Sequence, residues 1–458
     1  MKKGIWLACL IFSVSLVQAQ VAQRLKVAMD SFNADGQMKY AAVSLYVINA
    51  KTGEVVFDQN ANMGLATAST EKIVTAATAM DMLGADYTYK TKFAIVTKGA
   101  EKSLYIEPSG DPTFGSWRWE TTKDTLILQK IKSALAASGV KKLQHIYVNM
   151  KGWTGETIPD GWIWQDLGQY FGAASLPLTW RENQFDIYLQ SGNTVGSKVD
   201  IVKTLPKLYD YTIKSDAVAG EKESGDNTYL YYPSMGGKGG VLRGTIPFGQ
   251  KNFKVSASIY DPVNQFVKTL VNYVKGTVTV EDPQFVMVEK TMPGAEVVYE
   301  HVSPPLSSIV YWFLRRSINL YGEALLKTIA LQQTGKAGTD EGVSVLQKHW
   351  QSKGFDAEAF HLYDGSGLSP QNRISTKTQV QVLQYAKDKA WFKDYYEGFP
   401  VYNDMKMKSG TINRVKGFAG YHKSKQGEEF IFSFLINNYS SSQYSLVRKM
   451  FKVLDNLK

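Results

Sequence analysis

The sequence predicts an α/β protein in which one domain is interrupted by a strand-rich region. Segments with alternating apolar residues occur near both ends of the chain, and helix-like segments accompany them. Between them, the residues from about 91 to 290 form short β-like runs separated by turns, a texture typical of an insertion. The chain has 458 residues, of which 44% are hydrophobic, so it is long enough to build two or three compact units.

The first residues have the pattern of a secretory signal. Lys2 and Lys3 precede a largely apolar stretch over 4–17, and small residues surround Ala19, which predicts cleavage after Ala19 and a secreted, periplasmic protein. The apolar stretch is too short to span a bilayer comfortably. Cys9 is the only cysteine and lies inside this stretch, so we expect the mature chain to be stabilised by its core without an internal disulfide.

The N-terminal part of the domain, 20–90, is predicted to begin with a helix and a β-hairpin. The predicted elements are a helix over 21–32, a strand over 41–48, a turn at Lys51-Thr52-Gly53 and a strand over 54–57. A second helix is predicted over 69–83, because apolar residues recur every three or four positions and Gly84 follows as a stop signal.

The C-terminal part, 291–458, is predicted to contribute both helices and strands to the same domain. A long helical stretch begins near Pro304-Pro305 and runs to about Gln333. The later predicted elements are strands over 415–423 and 429–436, a turn at Lys425-Gln426-Gly427 and a helix over 442–457. We therefore expect a sheet of N- and C-terminal strands flanked by helices, while the insert over 91–290 forms two small subdomains.

The segment Ser69-Thr70-Glu71-Lys72 supplies a nucleophile and a base. A serine hydroxyl is a weak nucleophile until a base takes its proton, and a lysine can be that base if burial or a nearby cation lowers its pKa. Positions i and i+3 lie on one face of a helix, so the two side chains can meet. The same spacing recurs at Ser138-Gly139-Val140-Lys141, but Ser138 lies at a turn, whereas Ser69 opens a helix whose N-terminal amides favour developing negative charge.

Two further motifs provide the other groups that acyl transfer by a serine requires. Ser317-Ile318-Asn319 offers a hydroxyl that passes a proton to the leaving amine and an amide that holds the substrate. Lys408-Ser409-Gly410-Thr411 offers a cation beside a Gly-containing strand whose backbone N–H can face an oxyanion. Ser-x-Asn also occurs at Ser31-Phe32-Asn33 and Ser191-Gly192-Asn193, so the second motif is weak when taken alone.

Together, on helix, helix and strand in this order, the three motifs resemble those of β-lactamases and penicillin-binding proteins. More specifically, the chain resembles the class C penicillin-binding proteins, the D-alanyl-D-alanine carboxypeptidase/endopeptidases of the S13 peptidase type. The further blocks that carry this resemblance are Ala68-Ser69-Thr70, Ser109-Gly110-Asp111-Pro112, Trp162-Ile163-Trp164-Gln165-Asp166, Ser303-Pro304-Pro305-Leu306 and Asp364-Gly365-Ser366-Gly367-Leu368-Ser369. The resemblance runs from about 40 to 440 and implies a serine β-lactamase/transpeptidase-like domain with extra domains inserted between Ser69 and Ser317.

Residue roles follow from the resemblance, position by position. It implies that Ser69 is the nucleophile and Lys72 its base. Ser317 would relay the proton, and Asn319 would contact a substrate amide. β-Lactams would acylate Ser69 as substrates do, and water would hydrolyse the substrate ester.

The strand motif is implied to bind the substrate. Lys408, assisted by Ser409, would receive the substrate carboxylate, and the backbone N–H groups of Ser69 and Thr411 would form the oxyanion hole beside Gly410. Two departures from the family pattern affect specificity, because Ser409 replaces the commoner Thr and Pro370 stands where some relatives have an arginine.

A second group of candidate residues follows the tryptophan block. Asp166 would accept the side-chain amine of the cross-linking diamino acid, with Phe171 packing beside it. A purely structural carboxylate is the alternative at Asp166. Arg373 is near enough in sequence to replace the guanidinium that relatives have at position 370.

The expected partners are peptidoglycan stem peptides and cross-links, with β-lactams as covalent inhibitors and no metal or organic cofactor. Removal of the signal leaves 50 Lys and Arg against 42 Asp and Glu, and this basic charge favours wall polymers or an anionic membrane face. Nucleic acid is not expected, since the basic residues are scattered. The alternative functions are a β-lactamase or esterase on the same scaffold and a non-catalytic wall-binding protein.

Overall fold

The computed structural model describes residues 19–153, 156–233 and 239–458. The predicted signal over 1–19 therefore lies almost entirely outside the described residues. The chain divides into two compact units. The first contains the residues up to Ala85, Val310–Ser317 and Val343–Lys458, and the second contains Asp86–Ile309 and Ile318–Gly342. Within the described ranges, no helix combines the length and the apolar character that a membrane span requires.

The helices and strands are numbered in chain order. The helices are α1 (19–33), α2 (Lys72–Leu83), α3 (Asp124–Ala137), α4 (Trp164–Leu167), α5 (Pro262–Val274), α6 (Leu306–Arg316), α7 (Asn319–Thr334), α8 (Thr339–Ser352), α9 (Thr376–Lys387), α10 (Phe392–Glu397) and α11 (Gln443–Leu454). The strands are β1 (Ala42–Asn49), β2 (Val55–Gln59), β3 (Lys90–Lys98), β4 (Glu101–Glu107), β5 (Lys142–Leu143), β6 (Ile146–Asn149), β7 (Gln184–Ser191), β8 (Val199–Leu205), β9 (Thr212–Ser215), β10 (Val218–Gly220), β11 (Asn227–Tyr231), β12 (Gly239–Pro247), β13 (Phe253–Ser258), β14 (Thr279–Val280), β15 (Phe285–Val288), β16 (Glu296–Val302), β17 (Phe360–His361), β18 (Arg373–Ile374), β19 (Val401–Tyr402), β20 (Met405–Ile412), β21 (Val415–Lys423) and β22 (Glu429–Asn437).

The first unit is built on a six-stranded sheet in the order β19-β20-β21-β22-β1-β2. Strands β1 and β22 pair antiparallel from Ala42 opposite Asn437 to Asn49 opposite Phe430, so the two ends of the chain are adjacent in the sheet. This confirms the predicted sheet of N- and C-terminal strands. Nearly every residue of β1 is buried, because helices cover both faces of the sheet.

The two faces of the sheet pack against different helices. One face forms a core with the apolar sides of α1 and α11, to which Leu25 and Met450 belong. On the other face, α9 packs against the sheet, where Gln379 accepts a 2.7 Å hydrogen bond from Ser433 and Thr376 lies 2.6 Å from Ser44. Helix α2 packs on α9 within this unit, so its N-terminus is fixed by a fully buried environment.

The described residues of the second unit form two large hydrophobic cores. A five-stranded sheet in the order β15-β6-β4-β3-β16 packs against α3 and α5, and strands β7, β8 and β11 to β13 surround the other core. Helices α3 and α5 were not predicted within 91–290. The start of α5 carries a recognisable signal, because Asp261 caps the helix by accepting from Asn264 N and Pro262 occupies its first turn.

The helical stretch predicted from around 304 to about 333 is helical in the structure, but it consists of two helices. Helix α6 ends at Arg316 and α7 begins at Asn319. Between them Ser317 has a φ of 58°, in the left-handed region, and Ile318 is extended. A residue in the left-handed conformation cannot continue a right-handed helix, so the backbone turns sharply at Ser317 between α6 and α7.

Candidate active site

Ser69 lies in a 3-10 turn over Ala68–Glu71 that leads directly into α2, so the α-helix begins three residues later than predicted. In a 3-10 turn, side chains three residues apart are eclipsed. Accordingly, Lys72 Nζ lies 2.9 Å from Ser69 Oγ. Lys72 is fully buried, and its Nζ also donates to the carbonyl oxygen of Ser366. The serine and lysine predicted to form a pair are therefore in contact.

The backbone before the serine is strained. Ala68 has a φ of 45° although it carries a Cβ, and its side chain is fully buried. A non-glycine residue in this region costs roughly 1–3 kcal/mol and persists only where the surroundings fix it. Gly367 contributes to this constraint, since a Cβ added there would lie 2.0 Å from the carbonyl oxygen of Ala68.

The block from Asp364 to Ser369 forms the loop that brings the Ser366 carbonyl to Lys72. The buried carboxylate of Asp364 accepts from the backbone N–H groups of Ser366 (3.1 Å), Gly367 (2.7 Å) and Ser369 (2.6 Å). Three such bonds to one carboxylate fix the loop without secondary structure. This block, noticed in the sequence only for its resemblance, therefore has a structural role next to the lysine.

Ser317 meets the lysine of the third motif. Lys408 Nζ donates to Ser317 Oγ at 2.9 Å and to the carbonyl oxygen of Ser409 at 2.8 Å. Burial holds the pKa of Lys408 well below its ordinary value, and the charges of Lys72 and Lys416 lower it further. The first unit thus brings together two serine–lysine pairs whose cations repel each other.

Strand β20 approaches the Ser69 turn closely at Gly410. A Cβ at this position would lie 2.5 Å from Thr67 O, 2.9 Å from Thr70 N and 3.1 Å from Ser69 N. Only glycine allows the strand backbone to come this near. Strand β19 pairs with β20 only at Met405 and Lys406, and in the described part of the chain no strand pairs with 408–411 on that outer edge. The edge next to the serine is therefore open to an extended substrate.

The other candidate residues lie in the second unit. Asn319 begins α7, and its Nδ2 donates to the carbonyl oxygen of Phe171 at 2.8 Å. Asp166 lies in the short helix α4 and is half-buried, and burial raises the pKa of its carboxyl to about 6. Gly172 packs on the backbone of Asp166, where an added Cβ would lie 1.9 Å from its carbonyl oxygen. The structure thus joins Asn319, Phe171 and Asp166 in one local arrangement.

The competing matches in the sequence have ordinary structural roles. Ser138 follows the last turn of α3, where its Oγ donates to the carbonyl oxygen of Leu135 at 2.7 Å. Lys51-Thr52-Gly53 is the hairpin turn that was predicted, with Gly53 at a φ of 75°. Arg373 donates to the carbonyl oxygens of Pro370 and Asn372 in its own loop.

Lys416 was not singled out from the sequence. It lies on β21 opposite Thr411 and is only 6% exposed. Its Nζ donates to Thr411 Oγ1 at 2.8 Å, and burial lowers its pKa to about 8. A lysine inside a continuous buried strand is rare, and this was the signal in the sequence that could have identified it.

No group of three His, Cys, Asp or Glu side chains within the described ranges is arranged to hold a metal ion. Two of the buried or half-buried histidines lie next to single acidic residues: His349 lies 3.2 Å from Asp81, and His301 lies 3.7 Å from Asp111. The groups in contact at the candidate site are the Ser69–Lys72 and Ser317–Lys408 pairs.

The sequence pattern of the D-Ala-D-Ala carboxypeptidase 3 (S13) family matches residues 25–457. The chain belongs to this family. The D-alanyl-D-alanine carboxypeptidase of Actinomadura sp. (strain R39), for example, is 25% identical over 452 residues, which cover 91% of this chain and 81% of that protein. The S13 assignment confirms the family and the serine-type D-Ala-D-Ala carboxypeptidase activity that the sequence motifs predicted.

Solved structures show the same fold as this S13 chain. Penicillin binding protein 4 (dacB) from Haemophilus influenzae superposes with a TM-score of 0.78 at 19% identity, over 92% of this chain and 97% of that one. The same protein complexed with a novel β-lactam gives a TM-score of 0.72 at 18% identity, over 92% and 96% of the two chains. The predicted α/β fold class, with its penicillin-binding-protein-like domain, is confirmed.

Proposed function

We propose that this chain hydrolyses D-alanyl peptide bonds in peptidoglycan stem peptides and cross-links through an acyl-enzyme on Ser69. The observation that carries the proposal is the 2.9 Å contact between Ser69 Oγ and the fully buried Lys72 Nζ. In its neutral form Lys72 takes the hydroxyl proton while Oγ attacks the carbonyl carbon. The charge of Lys408 favours this neutral form, because the repulsion between two buried ammonium groups acts on both.

The oxyanion of the tetrahedral intermediate is assigned to the backbone N–H groups of Ser69 and Thr411. The close approach of Gly410 to the Ser69 turn supports this assignment, because it keeps the strand backbone next to the nucleophile. Ser317 then donates its hydroxyl proton to the leaving nitrogen as the peptide C–N bond breaks, and it recovers a proton from Lys72, which took one from Ser69. Its hydrogen bond from Lys408 holds the hydroxyl in place for this transfer.

Substrate binding is assigned to three places. Lys408 and Ser409 receive the substrate carboxylate, and Asn319 contacts a substrate amide. Asp166 binds the side-chain amine of the cross-linking residue beside Phe171. Burial raises the pKa of the Asp166 carboxyl to about 6, and an ammonium group bound beside it would stabilise the ionised form. Water hydrolyses the resulting ester, and the mechanism needs no metal or organic cofactor.

The cellular setting is a separate part of the proposal. We place the mature protein in the periplasm, after cleavage of a signal over 1–19, and in peripheral contact with the wall. The excess of basic residues over acidic ones supports contact with anionic polymers. β-Lactams are proposed as covalent inhibitors, because they present an acylating carbonyl to the same serine.

Mass spectrometry of a penicillin-treated digest tests this function. The adduct is expected on the peptide that contains Ser69, and Ser69→Ala should abolish it while leaving the fold intact. Ser138→Ala is the matched control, since it removes the other Ser-x-x-Lys serine. An adduct on Ser138, or no adduct, would contradict the proposal. A label that appears and is rapidly lost would favour the β-lactamase alternative, and the absence of any label would favour a wall-binding protein.

A further inference from the structure

Lys416 is a buried cation on the same strand pair as the substrate-binding motif. In the register of β20 and β21, Thr411 lies opposite Lys416 and Ser409 lies opposite Phe418. Because side chains alternate along a strand, Ser409, Thr411 and Lys416 belong to one face of the sheet. Lys416 is only 6% exposed, whereas Thr411 is exposed at the strand edge. The lysine therefore lies beneath the edge that is assigned to the substrate.

The charge of Lys416 has no acidic partner: among the described residues, no carboxylate forms an ion pair with it. Its Nζ contacts the hydroxyl of Thr411 and lies 4.8 Å from the ring centroid of Phe418. Burying a cation without a countercharge is costly, and the lowered pKa of about 8 reflects this cost. An anion bound at this edge would offset it.

The hydrogen bond from Lys416 Nζ to Thr411 Oγ1 determines where the threonine hydroxyl can donate its proton. An ammonium group is only a donor, so in the 2.8 Å contact the oxygen of Thr411 accepts. The hydroxyl proton of Thr411 must then be offered to another acceptor. Thr411 is exposed, so that acceptor can belong to a ligand at the strand edge.

We propose that Lys416 is a positioning residue for the carboxylate of the substrate's leaving group: it orients the Thr411 hydroxyl as a donor and places a positive charge behind it. This inference rests on the proposed function, in which Lys408, Ser409 and Thr411 of β20 contact the substrate. The recognised chemistry is a carboxylate on the leaving side of the scissile bond. Lys408 also contacts Ser317 of the proposed proton relay, so Lys416 adds a second positive charge for binding the carboxylate.

Two thioester substrates separate this role from a structural one. An N-acyl-D-alanyl thioglycolate carries the leaving-group carboxylate, and in its methyl ester one added methyl group removes the charge. Lys416→Met should lower kcat/KM for the acid about 10-fold or more, mainly through KM, because a charge-assisted contact is lost. The methyl ester should lose less than about 3-fold, and Lys416→Arg should restore preference for the acid. Lys423→Met, an exposed position on the same strand, is the control.

A double-mutant cycle tests the route through Thr411. If Lys416 acts through that hydroxyl, Lys416→Met/Thr411→Val should be little worse on the acid than Thr411→Val alone. Additive losses would overturn the positioning role, and equal losses on acid and ester would reduce Lys416 to a structural lysine. If Lys416→Met unfolds at a much lower temperature than the wild type, Lys416→Gln replaces it, because glutamine keeps a donor without the charge.

The outcomes also separate this inference from the proposed function. Penicillin labelling of Ser69 is measured in the wild type and in each variant. Labelled Ser69 together with unchanged acid-to-ester preference in Lys416→Met would overturn the inference and leave the function standing. An unlabelled wild type would instead overturn the function.

Discussion

At the scale of single residues, the two buried lysines have different surroundings although each contacts a serine. Lys72 is on the turn that carries Ser69 and also donates to a backbone carbonyl of the 364–369 loop. Lys408 lies on β20, where its Nζ donates to Ser317 Oγ and to the carbonyl oxygen of Ser409. In the proposed mechanism, Lys72 therefore serves Ser69 as the nucleophile and Lys408 serves Ser317 as the proton relay, so removing each lysine should produce a different defect.

Lys72→Ala should reduce penicillin acylation of Ser69 by about 10³-fold or more, because the base and the nucleophile act as one unit. For the same reason, Ser69→Ala/Lys72→Ala should be little worse than Ser69→Ala alone. The acylation rate is measured from a time course of labelling with a fluorescent penicillin, in which the reaction is quenched at set times. Lys26→Ala, which removes an exposed lysine on α1, is the control. Near-normal acylation in Lys72→Ala would eliminate the lysine-base mechanism.

Asp166 makes activity depend on pH if it binds a substrate amine. Its pKa is raised to about 6, and a cation binds only the ionised carboxylate, so binding strengthens as pH rises through 6 and is lost below it. For substrates with a free side-chain amine, kcat/KM should therefore fall below pH 6. Asp166→Asn should lower this value by roughly 10-fold or more at pH 7.5 and remove the low-pH limb. Substrates with an acetylated amine should show neither effect, and equal losses on both would return Asp166 to a structural role.

At the scale of elements, the candidate site lies where regular structure is interrupted. Ala68 and Ser317 both have left-handed backbone conformations, one before α2 and one between α6 and α7. The sequence predicted the Ser69–Lys72 contact, since i and i+3 spacing brings the pair together in a 3-10 turn as it does in an α-helix. It did not predict the break at Ser317, because the apolar pattern of α6 and α7 continues across it and local strain is set by tertiary packing.

Helices α3 and α5 and the role of Lys416 were not predicted, because each depends on context beyond the local sequence. Helices α3 and α5 lie among many short strands, whose turns dominate the texture of that region. Lys416 was not identified because strand register, rather than a local motif, places Thr411 opposite it. Contacts that depend on register cannot be read from local spacing, whereas contacts within one turn can.

The contact between β20 and the Ser69 turn predicts the effect of adding one methyl group. Gly410→Ala should slow penicillin acylation about 10²-fold, because the new Cβ meets backbone atoms that cannot move aside and so displaces the nucleophile. Gly36→Ala is the matched control, since a Cβ there meets nothing within 4 Å. Acylation is compared with the thermal unfolding midpoint of each variant. Wild-type acylation in Gly410→Ala would show that this close approach is not needed.

At the scale of the whole molecule, the hydrophobic cores of the two units are separate, and the domain limits inferred at 90 and 291 stay a prediction. The second unit also contains a buried acid–base pair, Asp111 and His301. Burial raises the pKa of Asp111 to about 6 and lowers that of His301 to about 4, with Lys130 also lowering the latter. Both groups are at least 97% removed from solvent, since they are 1% and 3% exposed, so their titration is coupled to folding.

The two shifts have opposite effects on stability in the same pH range. In the folded state Asp111 holds its proton up to about pH 6, whereas an unfolded aspartate releases it near pH 3.8. The contribution of Asp111 to the free energy of unfolding is therefore lost as pH rises from 4 to 6. His301 stays neutral in the folded state down to about pH 4, so its contribution is lost as pH falls from 6.5 to 4. In the wild type these effects offset each other.

Single substitutions should therefore tilt the pH dependence of unfolding in opposite directions. As pH rises from 4 to 6.5, the free energy of unfolding of His301→Gln should fall by about 3 kcal/mol relative to the wild type. As pH rises from 4 to 6, that of Asp111→Asn should increase by about as much relative to the wild type, because one pKa unit corresponds to about 1.4 kcal/mol. Thermal unfolding of the full chain across this range measures both differences. His301→Gln/Asp111→Asn should differ from the wild type by an amount that does not change with pH. Parallel curves for the two single variants would show that the pair does not titrate on unfolding.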